Sequence, residues 1–125
     1  MRCPKCDCVM ETVKHENVGI ERCSGCRGLW FDMLEQEELK LLAGSESLDI
    51  GDKSIGKEFN AKDVYNCPKC KGVSMIKMVD CEQPHIWYEA CSSCHGVFFD
   101  AGEFKDYKEE SIFDRFKSLL KKPRN

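Results

Sequence analysis

Apolar and polar residues alternate over two short stretches near the start of the chain. These are Val9-Met10-Glu11-Thr12-Val13 and Val18-Gly19-Ile20-Glu21-Arg22, parted by the polar pair Glu16-Asn17. Period-two alternation around a polar turn predicts a β-hairpin. The arrangement recurs as Met75-Ile76-Lys77-Met78-Val79 and Ile86-Trp87-Tyr88-Glu89, with Pro84 marking a longer tip. Beyond the first hairpin, Leu29-Trp30-Phe31 reads as a short strand leading into a helix. Asp32 as N-cap with Glu35 three residues on predicts a capping box, and Asp100 with Glu103 repeats it. The first helix is expected through Met33, Leu34, Leu39, Leu41 and Leu42, ended by Gly44. The second carries Phe104, Tyr107, Ile112, Phe113, Phe116, Leu119 and Leu120 on one face, stopping before Pro123.

This pattern is a sequence repeat. Cys3-Pro4-Lys5-Cys6 returns as Cys67-Pro68-Lys69-Cys70, and Cys23-Ser24-Gly25-Cys26-Arg27-Gly28-Leu29-Trp30-Phe31-Asp32 returns as Cys91-Ser92-Ser93-Cys94-His95-Gly96-Val97-Phe98-Phe99-Asp100. The organisation expected is a first unit with its helix over 1–43, a linker over 44–66, a second unit over 67–102 and an amphipathic C-terminal helix over 103–122. The linker, rich in Gly, Ser, Asp and Lys, reads as extended or mobile. Ile50, Ile55, Phe59 and Tyr65 are the points at which it would dock. Units of roughly 40 residues bury too little apolar surface to fold unaided and need a disulfide, a metal or a partner.

The cysteines meet that need. The chain has ten, and eight stand in C-x-x-C pairs. A secreted disulfide scaffold would bring an apolar leader and scattered spacings, whereas the chain opens Met1-Arg2-Cys3. A soluble protein in a reducing, cytoplasmic setting is the expectation. Two thiolates on one tight turn, brought by a hairpin beside two more, suit a tetrahedral metal. The expected ligand sets are Cys3, Cys6, Cys23 and Cys26, and Cys67, Cys70, Cys91 and Cys94, each holding one structural Zn²⁺. With all four positions filled by protein, no position is open for water or substrate, so no catalysis by the metal is expected. Iron in a rubredoxin-like redox module is the rival occupant. Gly28, Gly72 and Gly96 are expected at positive φ, aiming amides at the thiolates. Cys8 and Cys81 have no counterpart in the other unit: Cys8, two past Cys6, reads as an adjacent spare thiol ahead of a substitute ligand, and Cys81 falls near a hairpin tip, away from the knuckles. His15, His85 and His95 stand at positions with no clear ligand role.

The formal charge is −3. Two centres of four thiolates and one Zn²⁺ would bring it to roughly −7, which argues against a general nucleic-acid binder. The paired acids Glu37 and Glu38 read as a solvated helix face. The Trp30-Phe31-Asp32 and Phe98-Phe99-Asp100 runs read first as core strand plus helix cap. Trp30, Trp87 and Phe99 are candidates for partial exposure as contact surface.

The chain at these residues resembles the transcription-factor zinc-finger family, the TFIIB-type zinc ribbons. Its pattern is C-P-x-C, a hairpin, then C-x-x-C-x-G-x-W-F-D-x-x-E. Cys3, Cys6, Cys23, Cys26, Gly28, Trp30, Phe31, Asp32 and Glu35 match in the first copy. Cys67, Cys70, Cys91, Cys94, Gly96, Phe98, Phe99, Asp100 and Glu103 match in the second, with Phe98 in place of tryptophan. Gly102-Glu103 fits the family's usual Gly-Glu, and Leu34-Glu35 departs from it. The resemblance implies zinc binding, and a fold class of small metal-dominated α+β: two tandem zinc ribbons, each followed by a helix.

The function expected is a non-enzymatic adaptor that binds a protein partner through exposed aromatics, the linker or the C-terminal helix. For that helix's apolar face, packing on the ribbons or linker is the first reading, self-association the second and a membrane surface the last, since Asp106, Glu109, Glu110 and Asp114 oppose anionic lipid. Nucleic-acid or transcription-complex binding through Lys5, Arg22, Arg27, Lys69, Lys71 and the basic tail is the alternative, and the acidic balance weighs against it. No stretch approaches the roughly 20 apolar residues of a membrane span.

Overall fold

Glu16 and Asn17 both adopt positive φ, 47° and 70°, the turn that matches the twist of two antiparallel strands. They join β1 (Met10–His15) to β2 (Val18–Cys23), with His15 opposite Val18 and Met10 opposite Cys23. The hairpin so formed is the one the alternation predicts. In this computed structural model, which describes residues 1–60, 65–80, 83 and 86–108, the second hairpin forms likewise. Its strands are β4 (Ile76–Val79) and β5 (Trp87–Ala90).

The two units do not stand apart. The short strands β3 (Leu29–Phe31) and β6 (Val97–Phe99) pair with each other, Trp30 opposite Phe98. The result is one antiparallel sheet of order β1-β2-β3-β6-β5-β4, a pseudo-two-fold arrangement about the β3–β6 seam. All six residues of β3 and β6 are buried, because both faces of the seam are covered. This is why these strands read as unbroken apolar runs.

One face carries an apolar core of Ile20, Leu29, Phe31, Leu39, Leu48, Ile86, Val97, Phe99, Phe104 and Tyr107. Its centre is aromatic: Phe31 meets Phe99 edge-on at 5.6 Å between ring centroids, and Tyr88 stacks on Phe99 at 5.3 Å. The other face holds the cysteines with Trp30, Phe98, Met10 and Met75.

The helices are shorter than their apolar spacing suggests. α1 covers only Glu35–Lys40 and buries Leu39, while Met33, Leu34 and Leu41 stay exposed. Glu35 does accept from the Asp32 backbone N–H at 2.7 Å, half of a capping box. The Asp32 carboxylate, however, leaves the helix end for Trp30 and Lys69.

Residues 103–108 are helical and bury Phe104 and Tyr107. Their cap is Asp49, whose two oxygens accept from the backbone N–H groups of Gly102 and Lys105, each at 2.9 Å. Asp49 thus does the work expected of Asp100. Ile112, Phe113, Phe116, Leu119 and Leu120, and with them most of the expected C-terminal helix, lie outside the described residues.

The joining segment, expected to be extended, carries a 3₁₀ turn (Ser45–Leu48) and α2 (Lys53–Asn60). Asp52 accepts from the Ser54 N–H at 2.9 Å, as an N-cap residue does. Leu48 enters the apolar core, Phe59 packs on the cysteine face, and Tyr65 is buried. Segment 44–66 is thus in large part a strap between the two faces.

Candidate metal centres

Each C-x-x-C pair folds as a knuckle whose backbone amides point at sulfur. Lys5 N–H reaches Cys3 Sγ at 3.4 Å and Gly25 N–H reaches Cys23 Sγ at 3.3 Å. In the second unit, Lys69 and Cys70 donate to Cys67, and Ser93 and Cys94 to Cys91, at 3.3–3.5 Å. Each hairpin returns the second knuckle beside the first. Cys3, Cys6, Cys23 and Cys26 form one group and Cys67, Cys70, Cys91 and Cys94 the other, with all sulfurs of a group within 4.8 Å of one another.

The spacing fits a tetrahedral ion. Metal–sulfur bonds of about 2.3 Å place neighbouring sulfurs about 3.8 Å apart. Cys3 to Cys26 spans 3.7 Å and Cys67 to Cys94 spans 3.8 Å, while Cys6 to Cys23 is tighter at 3.3 Å. The donor set suits a soft divalent metal such as zinc. Ligation here would draw four thiolates together, and the amides would offset part of their charge.

The thiols themselves are divided. A hydrogen bond from Cys3 holds Cys26 down to about 5. Burial pushes Cys23 up to about 12 and Cys67 likewise to about 12. Burial also raises Cys91, but the amides of Cys94 and Ser93 outweigh it and bring it to about 7. Metal binding must therefore displace protons from the raised members.

The residues around the cysteines tie the two centres together. Gly28 and Gly96 lack the positive φ expected of them, which falls one residue earlier on Arg27 and His95. Their role is close approach. A Cβ on Gly28 would stand 2.2 Å from the Phe98 ring, and a Cβ on Gly96 would stand 2.2 Å from the Trp30 ring. Each unit's aromatic ring closes on the glycine of the other unit's second knuckle. Of the three glycines, only Gly72 has the expected backbone, with φ 74°.

The lysines of the C-P-K-C pairs cross over in the same way. Lys5 pairs with Asp100 at 2.5 Å and with Glu89, wholly buried, with Phe59 O accepting at 3.3 Å. Lys69 pairs with Asp32 in the open. Asp32 foremost, and Glu21 more weakly, keep the Lys69 ammonium above its ordinary pKa. Burial pushes Asp100 up to about 7 despite its lysine.

Lys, Gly, Trp or Phe, and Asp recur in both copies of the motif, and all serve this reciprocal clasp. The transcription factor zinc-finger family model matches residues 2–41 and 66–110. The chain belongs to the transcription factor zinc-finger family. Its two matched segments are the two copies, one on either side of the strap. No curated protein and no solved structure matches the chain.

The eight cysteines that sequence singled out in this zinc-finger protein all fall in the two groups. Cys8 packs against the first group, and Cys81 lies outside the described residues. His15 contacts the Ala43 carbonyl at 2.8 Å, away from either group. Sequence reasoning missed Glu89 and Asp49, and it placed Lys5 and Lys69 as nucleic-acid contacts where the structure pairs them with carboxylates across the seam. The two lysines are the one identical residue between each C-P and C, a signal of shared structure. Trp30 and Phe99 are buried at 1% and 0% exposure, so among the aromatic candidates for contact surface only Trp87, at 40%, is open.

Proposed function

We propose that the protein is a non-enzymatic adaptor, held in shape by two structural zinc ions and binding a protein partner along the β4–β5 edge of its sheet. The observation that carries this reading is where its apolar surface lies. The aromatic strands β3 and β6 are consumed by the seam, and the strap is docked through Leu48, Phe59 and Tyr65, while its Ile50 and Ile55, expected to dock, stay exposed. Ile76 and Met78 on one face of the outermost hairpin, and Val79 with its cross-strand partner Trp87 on the other, remain exposed. Apolar side chains on both faces of a sheet edge suit an extended partner segment, which would add main-chain hydrogen bonds to apolar contacts.

Four thiols around each centre fill a tetrahedron, which supports a structural rather than a catalytic role for the metal. A cytoplasmic setting accords with a thiol-rich, metal-binding chain. No helix among the described residues is long and apolar enough to cross a membrane. The nucleic-acid alternative has less support. Lys5 is buried in its clasp, Lys69 faces Asp32, and Arg22 donates to the Leu48 carbonyl at 3.2 Å.

Affinity capture of the tagged protein from its own cells, with metal analysis of the recovered material, tests the reading. Protein partners lost on Ile76→Ser/Trp87→Ala, with zinc retained, are expected. Recovery of nucleic acid that dissociates with salt would favour the alternative, and a visible absorption band would favour iron.

A further inference from the structure

The two centres differ in one respect that their shared motif hides. In each unit the N–H of the first cysteine donates to a carbonyl just beyond the first knuckle: Cys3 to Cys8 at 2.9 Å, and Cys67 to Val73 at 2.8 Å. Cys8 and Val73 therefore hold equivalent places. One is a thiol and the other is inert, so a fifth thiol borders the four of the first centre and, among the described residues, none borders the four of the second.

The fifth sulfur sits in a cradle. A Cβ built on Gly25, in the opposing knuckle, would lie 2.6 Å from Cys8 Sγ and 3.3 Å from Cys6 Sγ. The absence of a side chain at Gly25 thus lets both sulfurs border one small volume. The second unit has Ser93 at that position, together with Val73. A thiol and the glycine that makes room for it occur together in one unit, and both are missing from the other. Cys6 and Cys8 are only partly buried, so this corner of the centre is also the one open to solvent.

We propose that Cys8 is an alternate ligand of the first centre, able to take the place of Cys6. This makes the centre an exchange site for a soft divalent metal, while the second centre is static. The inference rests on the reading of Cys3, Cys6, Cys23 and Cys26 as a metal site. In the swap one metal–sulfur bond forms at Cys8 as the one at Cys6 breaks. The proton leaving Cys8 ends on Cys6, so net charge is unchanged. A neighbouring thiol that can replace a departing one gives a stepwise route for handing the metal to an external thiol or chelator.

The test compares the zinc content of the full chain after desalting, and its rate of zinc release to a chromogenic chelator. Wild type is expected to hold an ion at each of the two centres. Cys6→Ser should keep both, whereas Cys70→Ser and Cys6→Ser/Cys8→Val should each lose one. Loss of one ion from Cys6→Ser, as from Cys70→Ser, overturns the proposal. Release from wild type should be biphasic. Cys8→Val, which installs the residue of the second unit, should slow the fast phase about tenfold, and Gly25→Ser should do the same with every thiol in place. A fast phase unchanged by Cys8→Val overturns the proposal even if Cys6→Ser fails to fold. Fewer than two ions in wild type instead overturns the metal reading beneath it.

Discussion

Replacing Lys5 with methionine should cost far more stability than the same change at Lys69, although the two lysines occupy equivalent places in the repeat. The Lys5 side chain is 0% exposed, against 42% for Lys69. Its ammonium meets Asp100 at 2.5 Å and Glu89, accepts cover from the Tyr65 ring at 4.8 Å, and is closed over by Phe59. Removing it strands two buried carboxyl groups. Breaking a buried pair by deleting one partner typically costs about 3–5 kcal/mol. Asp100 already titrates near 7, so it can shed charge by taking a proton, and the lower part of that range is expected. Lys69 and Asp32 are both well exposed, and such pairs contribute about 0–1 kcal/mol. The gap between the variants should thus be about 2–3 kcal/mol, read as the difference in urea midpoint of the zinc-loaded proteins at equal slope. The triple variant Lys5→Met/Glu89→Gln/Asp100→Asn should regain part of the loss, since no unpaired charge remains. Equal losses at Lys5 and Lys69 would refute the account of the buried clasp.

Gly28→Ala should destabilise the folded protein by about 1–3 kcal/mol through overpacking, because its Cβ would fall 2.2 Å from the Phe98 ring; calorimetry of the zinc-loaded variant checks it. Cys26→Ser or a strong chelator should unfold the first unit, since a structural zinc site supplies on the order of 10 kcal/mol of folding free energy. Native hairpin contacts surviving in NMR spectra without metal would contradict this. Asp100 is a carboxyl whose folded pKa, about 7, lies above its ordinary 3.8. Its contribution to stability is therefore full below about pH 4 and declines as pH rises through 7. Wild type should accordingly lose ground to Asp100→Asn between pH 6 and pH 8, measured by denaturant unfolding at both.

The hairpins and the cysteine groups were legible in the sequence because their determinants are local. A polar turn between alternating strands and a fixed C-x-x-C spacing act within a few residues of themselves. What was not legible is what one copy does to the other. Asp32 and Asp100 look like helix caps because capping is the local use of such a residue, yet both face lysines 37 and 95 positions away. Asp49, inside a segment that reads as linker, caps residues 53 and 56 positions downstream. Gly28 and Gly96 look like turn glycines until the opposing aromatic ring is in view. The same contact explains why Trp30 and Phe98 can differ: the slot over a glycine accepts either ring.

The clasp carries a consequence for each unit alone. The polar and glycine–aromatic contacts that the first unit offers across the seam have their complements within that same unit, although Phe31 packs on Phe104, whose equivalent is Gln36. Lys5 needs an Asp100, and Asp32 is its equivalent. Trp30 needs a bare Gly96, and Gly28 is its equivalent. Glu89 opposite Phe98 is mirrored by Glu21 opposite Trp30, and β3 pairs antiparallel with its own counterpart. A surface whose residue i meets j while j meets i is the surface of an isologous dimer. Residues 1–43 with zinc should therefore form a two-fold homodimer that reproduces the seam, with the strap contributions of Leu48, Asp49 and Phe59 missing. The dimer should be weaker than the intact chain, because the linker no longer raises the local concentration of one unit about the other. Sedimentation equilibrium of the zinc-loaded fragment, with Trp30 fluorescence reporting burial, decides the matter. A folded monomer with Trp30 exposed would show that each unit is self-sufficient and that the seam is incidental. A dimer abolished by Gly28→Leu but not by Leu41→Ser, which alters only an exposed residue, would place the contact at the seam and make the repeated glycine, aromatic and lysine the code for pairing.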